Sequence, residues 1–161
     1  MNSPTYGTLT IEEVAEKICQ NVQQDTTREY NLVVGTDSQS ADKTKVVVVI
    51  ALHDVGHGGI FFYDVFYVKR IQSIGEKLIY ETQMSLDYSK KLLTALEAYQ
   101  ETTGFDYQKH MNFSIHVDAG LVGPSKQVVP SVVGWIRSCG YDVVIKPDSF
   151  AACSVADKYS K

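Results

Sequence analysis

The pattern of apolar and polar positions divides this chain into runs with the period of strands and stretches with the period of helices. Three runs rich in β-branched and aromatic residues follow one another, at Leu32–Asp37, Lys45–His53 and Ile60–Val68. Short polar or glycine-rich segments separate them, as in β-hairpins. We therefore predict a three-stranded antiparallel meander.

Segments whose apolar residues recur at helical spacing lie before and after this meander. The segment Thr10-Ile11-Glu12-Glu13 is a capping-box pattern that opens a helix over residues 10–24. Ser73 with Glu76 gives the same pattern before a helix of about 25 residues. After that helix the pattern predicts, in order, an alternating strand at 112–118, a helix that ends at Gly140, a short strand at 142–146 and a last helix from Pro147.

This order of elements predicts an α/β fold with three layers. A meander followed by two helix–strand units, joined by right-handed crossovers, gives a five-stranded mixed sheet in the order 3-2-1-4-5 with helices on both faces. We expect a single domain over residues 1–161, in which the N-terminal helix 10–24 is added to the core.

Carboxylates fall where the predicted strands end. Asp37 follows the first buried strand directly, and Asp118 ends the alternating strand. If these two strands are neighbours, they form a topological switch point, where open α/β sheets bind their ligands. Glu81, on the edge of the apolar stripe of the second long helix, and Asp157, in the last helix, could cover the same edge. We therefore take Asp37 as the first ligand of a divalent-metal site.

Each of these carboxylates also has a structural interpretation. An aspartate at the end of a strand often serves as a turn or cap residue. Glu81 could reach solvent or a salt bridge, and the segment 154–157 (SVAD) is itself similar to a capping box. The residues alone leave both interpretations open.

The charge of the chain limits the kinds of nucleic-acid partner. A formal net charge of −4 over 161 residues is not typical of proteins that coat nucleic acid through counterion release alone. A site made of several carboxylates adds negative charge of its own, so an enzyme that acts on nucleic acid is not excluded. The small basic clusters Lys69-Arg70, Lys90-Lys91 and Lys109-His110 are expected to be solvated surface.

The cysteines and the hydropathy argue against several other classes of protein. The three cysteines are odd in number and widely spaced, which favours neither a disulfide framework nor a zinc site. The longest apolar run, Val46–Leu52, is far shorter than the roughly 20 residues that span a bilayer. The first residues lack the character of a signal peptide. We expect a cytoplasmic protein that does not enter a membrane.

Three segments resemble a known family. The segments 34–39 (VGTDSQ), 116–120 (HVDAG) and 146–158 (KPDSFAACSVADK), together with the order of elements, resemble the ribonuclease H-like superfamily. Within it they are similar to the bacterial YkuK-type family. The resemblance covers nearly the whole chain after the N-terminal helix.

The resemblance implies a nuclease site that holds Mg²⁺ or Mn²⁺, with two ions as the full complement. Asp37 would bridge the ions, Asp118 and Glu81 would bind one of them, and Asp157 would complete the other. The substrate implied is RNA or DNA. The alternative is a non-catalytic ribonuclease H-like module that binds nucleic acid or a protein partner.

Other residues near the implied site are candidates for supporting roles. His116 shares a strand face with Asp118, where it could act as a ligand, as a hydrogen-bonded neighbour of a ligand or as a core residue. Asp148 is a reserve candidate in place of Asp157. No histidine lies between Asp118 and Asp157, so a proton shuttle would have to be another group. The residues considered as contacts to ligands, substrate or transferred protons are Ser38, His116, Lys126, Lys146 and Lys158.

Overall fold

The computed structural model describes residues 1–149. A short 3-10 turn, Tyr107–Lys109, precedes the sixth strand. The helices and strands in chain order are β1 (Asn2–Ser3), β2 (Gly7–Thr8), α1 (Ile11–Gln24), β3 (Tyr30–Ser40), β4 (Lys43–Asp54), β5 (Gly58–Lys69), α2 (Ile74–Thr103), β6 (Met111–His116), α3 (Val129–Ser138) and β7 (Asp142–Val144).

The strands form one mixed sheet in the order β2-β1-β5-β4-β3-β6-β7. Strands β3, β4 and β5 are the predicted antiparallel meander, while β6 lies parallel to β3 and β7 parallel to β6. The predicted fold class and the strand order 3-2-1-4-5 are confirmed for these five. The sheet has seven strands rather than five because β1 and β2 form an N-terminal hairpin, and β1 pairs with β5 at Tyr63. Strands of two residues are too short to show a period in the sequence.

The helix boundaries follow from local chemistry. Thr10 and Glu13 form the predicted reciprocal capping box of α1. The hydroxyl of Ser73 accepts from the Glu76 amide at the start of α2, which runs for 30 residues rather than about 25. It stops at Gly104, whose φ of 77° is a conformation that glycine adopts at little cost. Despite this length, no helix among residues 1–149 is apolar enough to cross a membrane.

The described helices pack on one face of the sheet. Two buried clusters join α1, α2 and α3 to alternate residues of the strands. A third cluster, on the opposite face, contains residues of the meander only: Val33, Val47, Val49 and Ala51, with Phe61 and Tyr63 packed against them. The last helix was predicted from Pro147; residues 147–149 form a turn, and the rest of the predicted helix lies outside the described residues.

The strands differ in how far they extend. The parallel pairing of β3 with β6 stops at Gly35 and His116, whereas β3 continues along β4 to Ser40 and β4 continues along β5 to Lys43. We call this extension of the meander past β6 the overhang; it comprises residues 36–40, 43–48 and 64–69. Asp37 was predicted to end its strand, but it lies within β3, because pairing with β4 keeps the polar residues after it extended.

Candidate active site

Asp37 and Asp118 lie next to each other at the boundary between β3 and β6. Gly35 and His116 are the last parallel pair, and each aspartate follows its member of that pair by two residues. Side chains alternate along a strand, so a step of two residues keeps the face. Within β3, Asp37 therefore belongs to the face opposite α2, whereas Asp118 lies in a bend just past the end of β6.

Glu81 reaches this place from the helical face. Helix α2 is anchored to β3 by a buried hydrogen bond of 2.8 Å between the hydroxyls of Ser85 and Thr36. One helical turn earlier, Glu81 Oε2 accepts a hydrogen bond of 2.5 Å from the Ser38 hydroxyl. Thr36 and Ser38 share the strand face towards α2, and Asp37 between them belongs to the other. Glu81 and Asp118 both line a narrow crevice between α2, β3 and β6.

The environment of Glu81 opposes its ionisation. Burial is the main cause, and the negative charges of Asp37 and Asp118 act in the same direction. The hydrogen bond from Ser38 and the charge of Lys77 oppose these effects but do not cancel them. The pKa of Glu81 consequently rises from its ordinary value of 4.5 to about 8. The three carboxyl groups are thus close enough to influence one another.

The two aspartates have partners of their own. Asp118 Oδ1 forms an ion pair of 2.9 Å with Lys146 Nζ, and Asp37 Oδ1 accepts a hydrogen bond of 2.9 Å from the Ser38 amide. The backbone holds Lys146 close to Asp118. Its amide donates to the carbonyl of Ala119 at 2.9 Å, and a Cβ on Gly120 would come within 3.2 Å of Lys146 Cβ. A side chain at position 120 would therefore push the two segments apart.

His116 is a buried residue of β6, two positions before Asp118. Burial lowers its pKa, and a hydrogen bond with the backbone of Ser149 acts in the opposite direction. Its Nδ1 is buried without a hydrogen-bond partner, and so is the hydroxyl of Ser149. The sequence predicted a ligand, a hydrogen-bonded neighbour of a ligand or a core residue at this position, and these roles remain predictions.

The structure places some of the predicted site residues together and leaves others apart. Asp37, Glu81 and Asp118 meet at the end of β6, and Ser38 contacts two of them. Lys126 is an exposed loop residue, whereas Asp157 and Lys158 lie outside the described residues. Within residues 1–149, no group of three or more His, Cys, Asp and Glu side chains is arranged to hold a metal ion. Asp37 and Glu81 approach from opposite faces of β3, and Asp118 is engaged by Lys146.

The ion pair of Asp118 with Lys146 was not foreseen from the sequence. Lys146 was considered only as a weak candidate for a proton shuttle. The signal that could have indicated the pairing is positional, since both residues follow the neighbouring parallel strands β6 and β7 at equal distance from the pair His116 and Val144.

The family model described as ribonuclease H-like matches residues 13–161. The chain belongs to the ribonuclease H-like family. This ribonuclease H-like protein is also 33% identical over 162 residues to the "Uncharacterized protein YkuK" of Bacillus subtilis (strain 168), with 95% of this chain and 92% of the relative covered. The resemblance predicted from the three sequence segments is confirmed.

Two solved structures are similar to this ribonuclease H-like chain. Both are of the Mos1 transposase catalytic domain with raltegravir, one with Mg and one with Mn. Their sequence identities are 11% and 9% and their TM-scores 0.37 and 0.31, and each comparison covers 93% of this chain and 70% of the other. A likeness at this level carries no information about the site.

Proposed function

We propose that this ribonuclease H-like protein is a divalent-metal-dependent nuclease that hydrolyses phosphodiester bonds of RNA or DNA. The observation that carries the proposal is that Glu81 and Asp118 line one crevice at the end of β6, while Ser38 bonds both Glu81 and Asp37. The switch point between β3 and β6 is also where an open α/β sheet offers a ligand site.

The chemistry of the donor set suits a hard divalent cation, but the three described carboxylates do not by themselves form a metal-binding group. Asp37, Glu81 and Asp118, together with Asp157 beyond the described residues, would hold Mg²⁺ or Mn²⁺ through carboxylate oxygens, which these ions prefer. A nearby cation would favour the ionised form of Glu81, which burial and the charges of the two aspartates oppose. When bound, such ions activate the attacking water and stabilise the leaving oxygen of a phosphodiester.

The neighbouring residues have defined tasks in this proposal. Ser38 orients two ligands at once, since its amide binds Asp37 and its hydroxyl binds Glu81. Lys146 balances the charge of Asp118 in the metal-free protein. Its flexible, exposed side chain can instead turn to a phosphate oxygen of the substrate.

A cleavage assay tests the proposal. Labelled single-stranded RNA, single-stranded DNA, RNA/DNA hybrid and branched DNA would each be incubated with the protein in Mg²⁺, in Mn²⁺ and in chelator. We expect metal-dependent cleavage of at least one substrate, which falls to the chelator background in Asp37→Asn and in Asp118→Asn. Asp142→Asn, a change of the exposed aspartate that starts β7, is the matched control and should cleave normally.

One observation favours a second candidate function, that of a non-catalytic module that binds nucleic acid or a protein partner. Lys146 and Ser38 already satisfy Asp118 and Glu81 without a metal ion. If calorimetric titration detects no binding of Mg²⁺ or Mn²⁺ and no substrate is cut, the nuclease proposal is wrong and the binding module is the better explanation.

A further inference from the structure

The overhang carries exposed lysines and a tyrosine that the proposed carboxylate site does not explain. On the face opposite α2, the register of the meander places its residues in rows that lead away from Asp37. The first row is Asp37, Val47 and Val65; the second is Gln39, Lys45 and Tyr67; and Lys43 with Lys69 forms the third. From the first row to the third the distance along β4 is about 14 Å, at about 3.4 Å per residue. We call the residues Lys43, Lys45, Tyr67 and Lys69 the overhang patch.

The overhang patch is positively charged in a protein whose formal net charge is −4. Its three lysines lie on neighbouring strands of one face, and Arg70 follows directly after β5. Within the described part of the chain, no carboxylate forms an ion pair with any of these lysines. Asp42, in the turn before β4, is the acidic residue next to the patch in sequence. The lysines are therefore available to a negatively charged ligand.

An exposed aromatic side chain lies among these lysines. Tyr67 is 62% exposed, and the neighbouring Val65 is 37% exposed. Both extend the apolar surface that Phe61 and Tyr63 begin on the same strand and face. A flat ring with cations beside it is the arrangement on which nucleic-acid bases stack while their phosphates are neutralised.

Protection of a sheet edge does not account for the overhang patch. Lysines on an exposed edge strand often prevent pairing with other chains, and this would explain Lys69 on β5. It does not explain Lys45, because β4 is paired on both sides at this residue, with Gln39 of β3 and Tyr67 of β5. On this face of β4 the buried valines give way to lysines only within the overhang.

We propose that the overhang patch binds single-stranded RNA or DNA and leads the strand to Asp37. A base stacks on Tyr67, and the phosphates on either side contact Lys43, Lys45 and Lys69. The inference rests on the proposed nuclease function and adds to it a single-stranded substrate and the path by which it enters. Because the rows are in register with Asp37, a phosphate carried along them arrives at the carboxylates.

The salt dependence of binding tests the lysines. Fluorescein-labelled single-stranded oligonucleotides, one RNA and one DNA, would be titrated with the full chain in chelator, with anisotropy as the readout, so that no cleavage occurs. Each phosphate contact on a single strand contributes about −0.7 to the slope of log affinity against log salt concentration. The triple variant Lys43→Gln/Lys45→Gln/Lys69→Gln should therefore bind more weakly, with a slope less steep by about 2.

A second triple variant controls for overall charge. Lys90→Gln/Lys91→Gln/Lys109→Gln changes the net charge by the same amount on α2 and in the turn before β6, away from the overhang. It should leave the slope unchanged. If both triple variants lower affinity and slope equally, or if neither changes them, the overhang patch is not the binding surface.

Substitution of Tyr67 tests the stacking. Tyr67→Ala should weaken binding by about 5- to 150-fold, the range measured for loss of one stacked base, whereas Tyr67→Phe should bind like the wild type. Equal affinity of the alanine variant, or equal binding of a duplex and a single strand, would contradict the proposal. Preference for the RNA or the DNA oligonucleotide identifies the natural strand.

The outcomes separate the two proposals. Loss of binding in the overhang variant without any metal-dependent cleavage by the wild type supports the overhang patch and rejects the nuclease. Cleavage that depends on Asp37 but not on the overhang patch supports the nuclease and rejects this path for the strand.

Discussion

At the scale of single residues, Glu81 is the group whose charge state depends most on its surroundings. Its pKa of about 8 in the folded protein lies above the ordinary value of 4.5, so the folded chain binds a proton that the unfolded chain has released between these two values. The contribution of Glu81 to the free energy of unfolding is therefore greatest below pH 4.5 and decreases as the pH rises towards 8. Above pH 8 both states are ionised and the loss is complete.

Glu81→Gln should remove this pH dependence, because glutamine resembles the protonated acid and does not titrate. In chelator, we expect the Tm of the variant to exceed that of the wild type by a margin that widens between pH 5.5 and pH 8.5. The margin should be several degrees at the upper pH, since about 1 kcal/mol corresponds to 2–4 °C in a protein of this size. Thermal unfolding followed by circular dichroism measures it.

Glu97→Gln, at an exposed position of the same helix, is the control for the loss of a carboxylate from α2. Its Tm margin should not change with pH. A constant margin for Glu81→Gln as well would show that burial and the two aspartates do not affect Glu81 as described.

At the scale of elements, α2 contacts the sheet through small polar residues as well as apolar ones. Thr82, Ser85 and Ser89 are all buried. The hydroxyl of Ser85 is bonded to Thr36 at 2.8 Å, whereas that of Ser89 is buried without a partner. One helix thus offers two buried serines that differ in whether the hydroxyl is satisfied.

This difference predicts opposite effects of the same substitution. Ser85→Ala should destabilise the protein by about 1–2 kcal/mol, because it leaves the buried hydroxyl of Thr36 without a partner. Ser89→Ala should have no effect or stabilise, because it removes a polar group that is already unsatisfied. Urea unfolding at constant pH compares the two, and equal losses in both variants would contradict the assignment.

The sequence predicts the elements of this fold well where a periodic pattern of apolar residues extends over many positions. The meander, the capping box of α1, the Ser73 cap of α2 and the strand order follow from patterns that the structure repeats. The overhang could not be predicted in this way. Its residues at 38–44 are polar and predict a turn, and only pairing with a neighbouring strand keeps such a segment extended.

For the candidate site, the sequence indicates which residues meet but not how they are arranged. Asp37, Glu81 and Asp118 were selected by their positions on predicted elements, and the structure brings them to one place. That Asp37 and Glu81 approach from opposite faces depends on the register of β3 against α2. The pairing of Asp118 with Lys146 depends on how β6 lies against β7. Neither is encoded in a local pattern.

At the scale of the whole molecule, the carboxylate site and the stability of the fold are coupled. Any ion that binds the folded chain but not the unfolded one raises the free energy of unfolding by an amount that depends on its concentration. Binding at the three carboxylates would also displace the proton of Glu81, so apparent affinity should increase with pH up to about 8.

Addition of Mn²⁺ to the chelator-treated protein should therefore raise its Tm. At a hundred times the dissociation constant we expect an increase of about 5–10 °C, from about 2.7 kcal/mol of stabilisation. The increase should be larger at pH 8 than at pH 6, and it should be lost in Asp37→Asn. An equal increase with NaCl of the same ionic strength would show that the effect is general screening rather than a site.

The overhang also has a mechanical consequence. It is held like a cantilever, attached along one end to the three-helix layer and extending past the last pair of β3 and β6. Hydrogen bonds near the free end break more readily than those in the middle of a sheet, since fewer neighbours must move with them. Residues 39–45, beyond the bond of Ser38 to Glu81, should thus bend more readily than residues 32–38. The end of the sheet that carries the lysines can adapt to a ligand while the bonds of Thr36 and Ser38 to α2 hold the strand beside the carboxylates.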